Sequence, residues 1–254
     1  MQPELPRTGL NGSALVELLA QLALARSPAT PPSFVDGLGR WLGWKDAIGV
    51  SAALQAVPPQ RQHPHDPAAP GCSNGAASAV SAACAASAPS AASAALAALD
   101  AEFTRVRAAL GSAIAQALDE AAGELAADLR EGATSPRFLP WRQRYFNLQQ
   151  AMEGAVLSLR VQARAALLHA GAQHPHLSTL ATLDTALAAA LAPREQAQLA
   201  LMPVLLEKHH RRADVAPAAF RHHAQQLLQA ELELRLQPSL GLLDALRTTL
   251  TESP

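Results

Sequence analysis

The sequence predicts an all-α protein, and three observations lead to this fold class. Hydrophobic residues make up 49% of the 254 residues, but only 4% are aromatic, and much of the apolar fraction is alanine. Such a composition favours close-packed helices over sheets, which are rich in β-branched and aromatic residues. Apolar side chains recur at helical spacing, and no segment reads as a strand. We therefore expect an elongated helical bundle built on a long antiparallel αα-hairpin, with a small N-terminal helical hairpin and a disordered linker.

Residues 1–56 are predicted to form an N-terminal segment of short helices. A first helix after Ser13 has leucines on one face, namely Leu15, Leu18, Leu19 and Leu22. A second short helix is predicted from Ser33 to Trp41, because Ser33 and Asp36 have the spacing of a weak capping box. Residues 45–54 add a further turn or two. The whole segment is expected to form the small hairpin.

Residues 57–92 differ in amino-acid composition from the rest of the chain. They are rich in Pro, Ser, Gly and Ala and have no periodic apolar residues. Such a segment buries too little surface to offset the entropy of ordering it, so we expect a flexible linker. Cys72 and Cys84 both fall here, without a CxxC pair, and are not expected to support a fold. Residues 93–254 are then the helical bundle.

Two long helices of equal pitch form the predicted hairpin. The first repeats its apolar residues about every 3.67 positions, at Leu96, Leu99, Phe103, Val106, Leu110, Ile114, Leu118, Ala121, Leu125 and Leu129. The second, Pro140 to Ala170, has the same spacing at Tyr145, Leu148, Met152, Val156, Leu159, Ala163 and Leu167. Between them, Gly132 to Pro136 supplies the break. Equal pitch predicts that the two helices pack as nearly straight neighbours.

Charge supports the same pairing. Residues 100–131 hold seven acidic and three basic side chains, whereas residues 137–172 hold five arginines and one acid. We therefore expect the arginines of the second helix, among them Arg160 and Arg164, to pair mainly with the acidic helix before it. Its exposed beginning, around Arg137, Trp141 and Arg142, is the part predicted to contact a partner.

The second helix of the hairpin is predicted to be the central one. Besides its main stripe it has a second apolar ridge of Phe146, Leu157 and Leu168. It also has a face of small residues, Asn147, Ala151, Gly154, Ser158 and Ala165. Apolar or small residues on several sides predict neighbours on several sides.

Prolines divide the C-terminal part of the predicted bundle. A helix with leucines from Leu177 to Leu191 is expected to end at Pro193, and the next, from Pro193 to Arg212, to be kinked or divided at Pro203. Two further helices are expected to begin at prolines and to cover Pro217 to Leu236 and Pro238 to Leu250.

The densest basic cluster is the main candidate binding site: Lys208, His209, His210, Arg211 and Arg212. His222 and His223 follow one helix later. The cluster suits a phosphate or nucleic-acid contact. A metal site between two helices is a second reading, but adjacent histidines point about 100° apart and no HExxH spacing occurs. The third, which we favour, is a solvated end of a helix, where cations suit the dipole.

Other features exclude rather than identify functions. The net charge of −1 argues against a generally basic nucleic-acid binder. No phosphate-binding loop, nucleophile with a base or paired carboxylates stand out, so we expect no catalytic residues, cofactor or metal. The apolar run from Leu15 to Ala25 is interrupted by Glu17 and Gln21, and no run reaches the roughly 20 residues of a membrane span. We expect a cytoplasmic protein.

Five segments together resemble an uncharacterised proteobacterial family described only as a domain of unknown function. They are RTGLNGSALVELLAQL at 7–22, WLGWKDAIGVSAAL at 41–54, YFNLQQAMEGAV at 145–156, LMPVLLEKHHRRA at 201–213 and AELELRLQPSLGLLDAL at 230–246. The resemblance implies a genetic context beside OmpA/MotB-like peptidoglycan-binding proteins and helical membrane partners, and it supplies no catalytic residues that could be assigned to positions of this chain.

These observations favour a non-enzymatic helical adaptor or scaffold that binds protein partners, including a second copy of itself, as an accessory to a cell-envelope complex. Nucleic-acid or phosphate binding through Lys208 to Arg212 is the alternative. An unrecognised metal-dependent enzyme that uses the histidines is the second alternative.

Overall fold

The computed structural model describes residues 14–22, 24, 43–55, 91–130, 138–212 and 216–252. These residues form seven helices: α1 (Ala14–Gln21), α2 (Trp44–Gln55), α3 (Ala91–Arg130), α4 (Leu139–Ala170), α5 (Pro175–Leu199), α6 (Met202–His210) and α7 (Pro217–Glu252). No strand occurs among them, and the predicted all-α class is confirmed. The helix predicted from Ser33 to Trp41, the linker up to residue 90 and the break from Gly132 to Pro136 lie outside the described residues.

The long antiparallel hairpin is confirmed as α3 and α4. Leu99 near the start of α3 packs with Ala163 and Leu167 near the end of α4. Near the other end of the pair, Arg144 of α4 hydrogen-bonds Glu124 of α3. All seven residues of the main stripe of α4 are buried, as are seven of the nine predicted for α3 whose burial the structure describes: Leu99, Val106, Leu110, Ile114, Leu118, Ala121 and Leu125.

Helix α7 packs against both α3 and α4 and is the third long element of the bundle. It runs without interruption through Pro238, so the prediction of two separate helices was wrong. Buried residues continue at helical spacing across the proline, from Leu232 and Leu236 to Leu242 and Leu243. The apolar burial of both halves outweighs the roughly 3 kcal/mol that an interior proline costs.

Helix α5 similarly continues past Pro193 to Leu199, and the predicted end at Pro193 was wrong. The carbonyl that Pro193 leaves without its helical N–H is that of Ala189, which is exposed, so water can satisfy it. The chain instead leaves the helix at Ala200 and Leu201. Pro203 lies in the first turn of α6, where its missing N–H costs little, and it marks the division as predicted.

Helix α4 is central, because it packs against α3, α5, α6 and α7. Its second apolar ridge is nevertheless exposed, with Phe146, Leu157 and Leu168 at 51%, 58% and 54%. The small residues beside this ridge also face solvent. The predicted neighbours on several sides are therefore confirmed, but they cover the main stripe and its flanks and not the second apolar ridge.

The described N-terminal helices lie on the bundle. Helix α1 packs on α7, and its Leu15 and Leu19 join the core with residues of α3 and α4. Helix α2 packs on α5. No helix in the described part of the chain is both long enough and apolar enough to cross a membrane.

Candidate functional site

Four aromatic rings meet at the end of the bundle where α4 and α7 begin and α6 ends. Trp141 lies edge-on to Phe220 with the ring centres 4.9 Å apart. His210 also lies edge-on to Phe220, at 4.8 Å, and is 5.5 Å from Phe138. Pro217 opens α7 three residues before Phe220, so the first turn of α7 inserts this ring between α4 and α6.

A pair of histidines from different helices lies beside these rings. His209 Nε2 of α6 and His223 Nδ1 of α7 are 2.9 Å apart, which is a hydrogen bond between the two rings. One ring must donate and the other accept, so the two cannot both be protonated in this geometry. Burial, together with the neighbouring His222, lowers the pKa of His223, and burial lowers the pKa of His210. The arrangement favours neutral rings.

Two of the predicted contact residues are inaccessible to a partner. His209 is 3% exposed and Trp141 is 2% exposed, so both predictions were wrong. Their rings pack into the core because α6 and α7 close over this end of the bundle. Trp141 Nε1 is buried without a hydrogen-bond partner in the described part of the chain.

The cations of the cluster do face solvent. Lys208, Arg211 and Arg212 are exposed and His210 is half-buried. Arg211 pairs with Glu207 at 2.5 Å, and Arg212 donates to the carbonyl of Leu22 at 3.2 Å. Arg142 is exposed on α4, and Arg137 lies outside the described residues. Only part of the predicted basic surface is therefore available for an anion.

The histidines do not assemble into a metal site within the residues described. No group of three or more His, Cys, Asp or Glu there could hold a metal ion. The pair of His209 and His223 uses its facing nitrogens for a hydrogen bond to each other.

A buried polar network joins α4 to α7, and the sequence reading missed it. Glu231 is 0% exposed and accepts hydrogen bonds from Tyr145 Oη at 2.8 Å and from Gln149 Nε2 at 3.0 Å. Arg235, one turn along α7, pairs with the same carboxylate at 2.9 Å. Gln149 also donates to the carbonyl of Leu199 at 3.0 Å, which connects the end of α5. Burial, and then the carboxylate, raise the pKa of Tyr145 well above its ordinary value.

A second network corrects the predicted pairing of the α4 arginines. Arg160 and Arg164 both bind Asp184 of α5, at 2.5 and 2.6 Å, rather than the acidic helix α3. Burial alone would raise the pKa of Asp184, but the hydrogen bonds from the two arginines outweigh it and lower the pKa. Arg144 does pair with Glu124 of α3, as the charge pattern predicted.

One surface groove lies between α1, α3 and α7, with a volume of about 580 Å³. Glu17, Arg107 and Glu233 are among its lining residues. Arg107 and Glu233 pair with each other at 2.7 Å, so these two opposite charges satisfy each other. The other polar residues that line the groove are Glu17, Gln21, Gln226 and Gln229.

An exposed apolar strip runs along α4, and we name it the α4 ridge. It consists of five side chains that are each more than half exposed: Leu139 (69%), Phe146 (51%), Leu157 (58%), Val161 (53%) and Leu168 (54%). At 100° per residue they fall within an arc of about 60°, so they form one line along the helix. The exposed amides Gln143 and Gln150 fall in the same arc, so the apolar side chains form two groups, Leu139 with Phe146 and Leu157 with Val161 and Leu168. Scattered single apolar residues are normal on a surface, whereas five aligned on one side of a helix are a candidate interaction site.

No curated protein and no solved structure matches the chain. A family described as a protein of unknown function, DUF3348, matches residues 1–79, 72–218 and 217–248. The matched residues span most of the chain and agree with the resemblance that the N-terminal and C-terminal segments indicated. The chain belongs to the DUF3348 family.

Proposed function

We propose that the protein is a helical adaptor that binds protein partners through the α4 ridge. The observation that carries this proposal is the alignment of five large exposed apolar side chains along one side of the central helix of the bundle. Burying this line against another protein would remove apolar surface from water at roughly 25 cal/mol per Å². The exposed Arg142 lies beside the line and suits the polar rim of an interface, whereas the exposed amides Gln143 and Gln150 lie within the line and would need hydrogen-bond partners there.

The site chemistry points the same way. The buried carboxylate of Glu231 pairs with Arg235, and that of Asp184 pairs with Arg160 and Arg164. Their position between helices suits a role in fixing the packing of α4 against α5 and α7. A scaffold of this kind presents the α4 ridge on a rigid helix, which lowers the entropy cost of binding. An envelope complex is the class of partner that the family resemblance implies.

Affinity capture with matched variants tests the proposal. The wild-type chain, Leu157→Glu and Leu54→Glu are immobilised and exposed to native lysate, and the retained proteins are identified and purified. Leu157 and Leu54 are 58% and 52% exposed, but Leu54 lies on α2, outside the ridge. Each purified partner is then mixed with each chain, and the dissociation constant is measured. We expect Leu157→Glu to raise the dissociation constant at least tenfold and Leu54→Glu to leave it unchanged. Equal affinity of all three chains would refute binding through the ridge.

Phosphate or nucleic-acid binding is the alternative function, and the exposed Lys208, Arg211 and Arg212 at the end of α6 support it. Binding of this kind depends on counterion release, so affinity should fall steeply with added salt. Titration of labelled DNA and RNA at low salt, with Lys208→Ala as the variant, tests it. Absence of binding at low salt removes this alternative.

A further inference from the structure

Three of the five side chains of the α4 ridge have a symmetric spacing along the helix. Phe146, Leu157 and Leu168 are separated by eleven residues on each side, which is three turns at about 3.67 residues per turn. A two-fold axis at the level of Leu157 therefore brings the Phe146 of one chain opposite the Leu168 of a second chain, and each Leu157 opposite its copy. A two-fold interface requires a surface that is complementary to itself in this way.

Charges beside the ridge obey the same symmetry. Glu153 is exposed and accepts one long hydrogen bond, 3.4 Å, from Gln196. Arg160 and Arg164 lie on the same flank of α4 and share a single carboxylate, Asp184, so this group of three carries one net positive charge. In the antiparallel arrangement Glu153 of one chain comes level with Val161 of the other, next to Arg160 and Arg164, whose side chains are 18% and 17% exposed. The partner carboxylate would thus neutralise the group, twice per dimer.

Small residues on the exposed side of α4 permit close approach. Ala151, Gly154, Ser158 and Ala165 are exposed next to the ridge, and a side chain added at Gly154 would meet no atom within 4 Å. Two helices then pack at the usual axial separation of about 8–10 Å. About Leu157 the two α4 helices overlap over residues 144–170, a length of about 39 Å, and Leu139 lies beyond the end of the partner helix.

We infer that the partner of the α4 ridge is a second copy of this chain, bound by antiparallel pairing of the two α4 helices about Leu157. This inference rests on the proposed function, because it names the occupant of the same surface. The apolar line supplies the driving force, and the contact between Glu153 and the arginine pair favours the antiparallel orientation over the parallel one.

Mass in solution tests the association. The monomer mass is 26.5 kDa, and sedimentation equilibrium of the full chain at micromolar concentration should give twice this value. Leu157→Glu places two like charges against each other at the axis, so we expect it to halve the mass. Leu54→Glu, with its matched exposure on α2, should leave the dimer intact. A monomeric wild-type chain overturns the inference.

Cross-linking tests the orientation and does not depend on how Leu157→Glu folds. In a background with Cys72→Ser and Cys84→Ser, Leu157→Cys should form a cross-linked dimer with a short bis-maleimide. Phe146→Cys and Leu168→Cys should each stay uncross-linked alone, since 22 residues separate these levels by about 33 Å. A mixture of these two chains should cross-link. Efficient cross-linking of Phe146→Cys alone would indicate a parallel pair and contradict the inference.

The two proposals fail separately. If the wild-type chain is monomeric but binds another purified protein, and Leu157→Glu abolishes that binding, the inferred dimer is contradicted and the adaptor function is supported. If the chain is monomeric and Leu157→Glu does not change its capture of other proteins, both the dimer and the adaptor function through the α4 ridge are contradicted.

Discussion

Tyr145 donates its phenolic hydrogen bond to the carboxylate of Glu231, over 2.8 Å, and this carboxylate is completely buried. Gln149 and Arg235 complete its surroundings. An ionised carboxylate in a protein core is costly unless it is paired and hydrogen-bonded, and here three side chains from α4 and α7 meet that requirement. Arg235 lies on α7 together with Glu231, so only the hydrogen bonds from Tyr145 and Gln149 depend on how α4 docks, and a shift in register would remove both of them.

Removing a partner of Glu231 should destabilise the fold. We expect Tyr145→Phe to lower the free energy of unfolding by about 1.5–3 kcal/mol, the value of a hydrogen bond to a charged group. Arg235→Met should cost about 3–5 kcal/mol, because it leaves a buried charge without its counter-ion. Urea unfolding followed by circular dichroism measures both. Arg107→Met is the control, since Arg107 pairs with Glu233 on the exposed surface and should cost less than about 1 kcal/mol.

The pairing of Asp184 with Arg160 and Arg164 should likewise contribute to the free energy of unfolding, because it joins α5 to α4. Asp184→Asn leaves two guanidinium groups without a counter-charge, and we expect a loss of roughly 3 kcal/mol, the lower end for buried pairs. Asp244→Asn, at a more exposed pair with Arg247, should change stability little. An equal effect of the two variants would show that Asp184 has no special role.

Asp184 also predicts the behaviour in acid. Its pKa is lowered in the folded state, so its stabilising contribution is present above the ordinary value of about 3.9 and is lost as the pH falls through the folded pKa. Unfolding free energies of the wild type between pH 5 and pH 3 should therefore drop more than those of Asp184→Asn.

The histidines at the end of α6 predict a separate pH dependence. Burial lowers the pKa of His210 and His223, with Glu207 opposing and Arg211 adding to the shift at His210. The unfolded chain then binds more protons below about pH 6.5, so stability is fully present above that pH and is lost as the pH falls toward the folded pKa. We expect the free energy of unfolding to decrease from pH 7 to pH 5.

A variant isolates the contribution of the histidine pair. His223→Gln should flatten the decrease between pH 7 and pH 5, whereas His169→Gln, at an exposed position of α4, should leave the slope unchanged. Urea titrations at several pH values give the slope. Equal slopes for the wild type and His223→Gln would contradict the role assigned to this ring.

The centre of the main stripe should not tolerate a charge. Met152 is 0% exposed, and Met152→Asp would bury a carboxylate without a partner, so we expect the bundle to unfold. Ala151→Asp, one residue earlier on the exposed side, is the control and should stay folded. A fully folded Met152→Asp with an unchanged melting temperature would contradict the central position of this stripe.

Sequence reasoning succeeded where a local periodic pattern coincides with burial. The seven-residue stripe from Tyr145 to Leu167 is fully buried, and the acidic helix paired with α4 as expected. The same reasoning failed at Pro193 and Pro238, because local propensity cannot weigh a proline against the apolar surface that both halves of a helix bury in the folded chain.

Site residues were harder to predict for the same reason. His209 and Trp141 looked exposed because their charged or aromatic neighbours suggested a surface, yet the packing of α6 and α7 on α4 buries both. Glu231 could have been noticed, since it stands on the apolar face of α7 between Leu228 and Leu232. A polar residue at a core position is a signal for a buried network.

By itself, the sequence determined the all-α class, the long hairpin and the main stripe of α4, since helical periodicity depends only on the spacing of residues that are close together in the chain. Only the tertiary structure decided which carboxylate each arginine binds and which apolar face stays exposed. Those outcomes depend on where α5 and α7 dock, and docking is set by contacts between residues far apart in the chain. The α4 ridge looked like a second core face in the sequence, and the structure shows it as open surface.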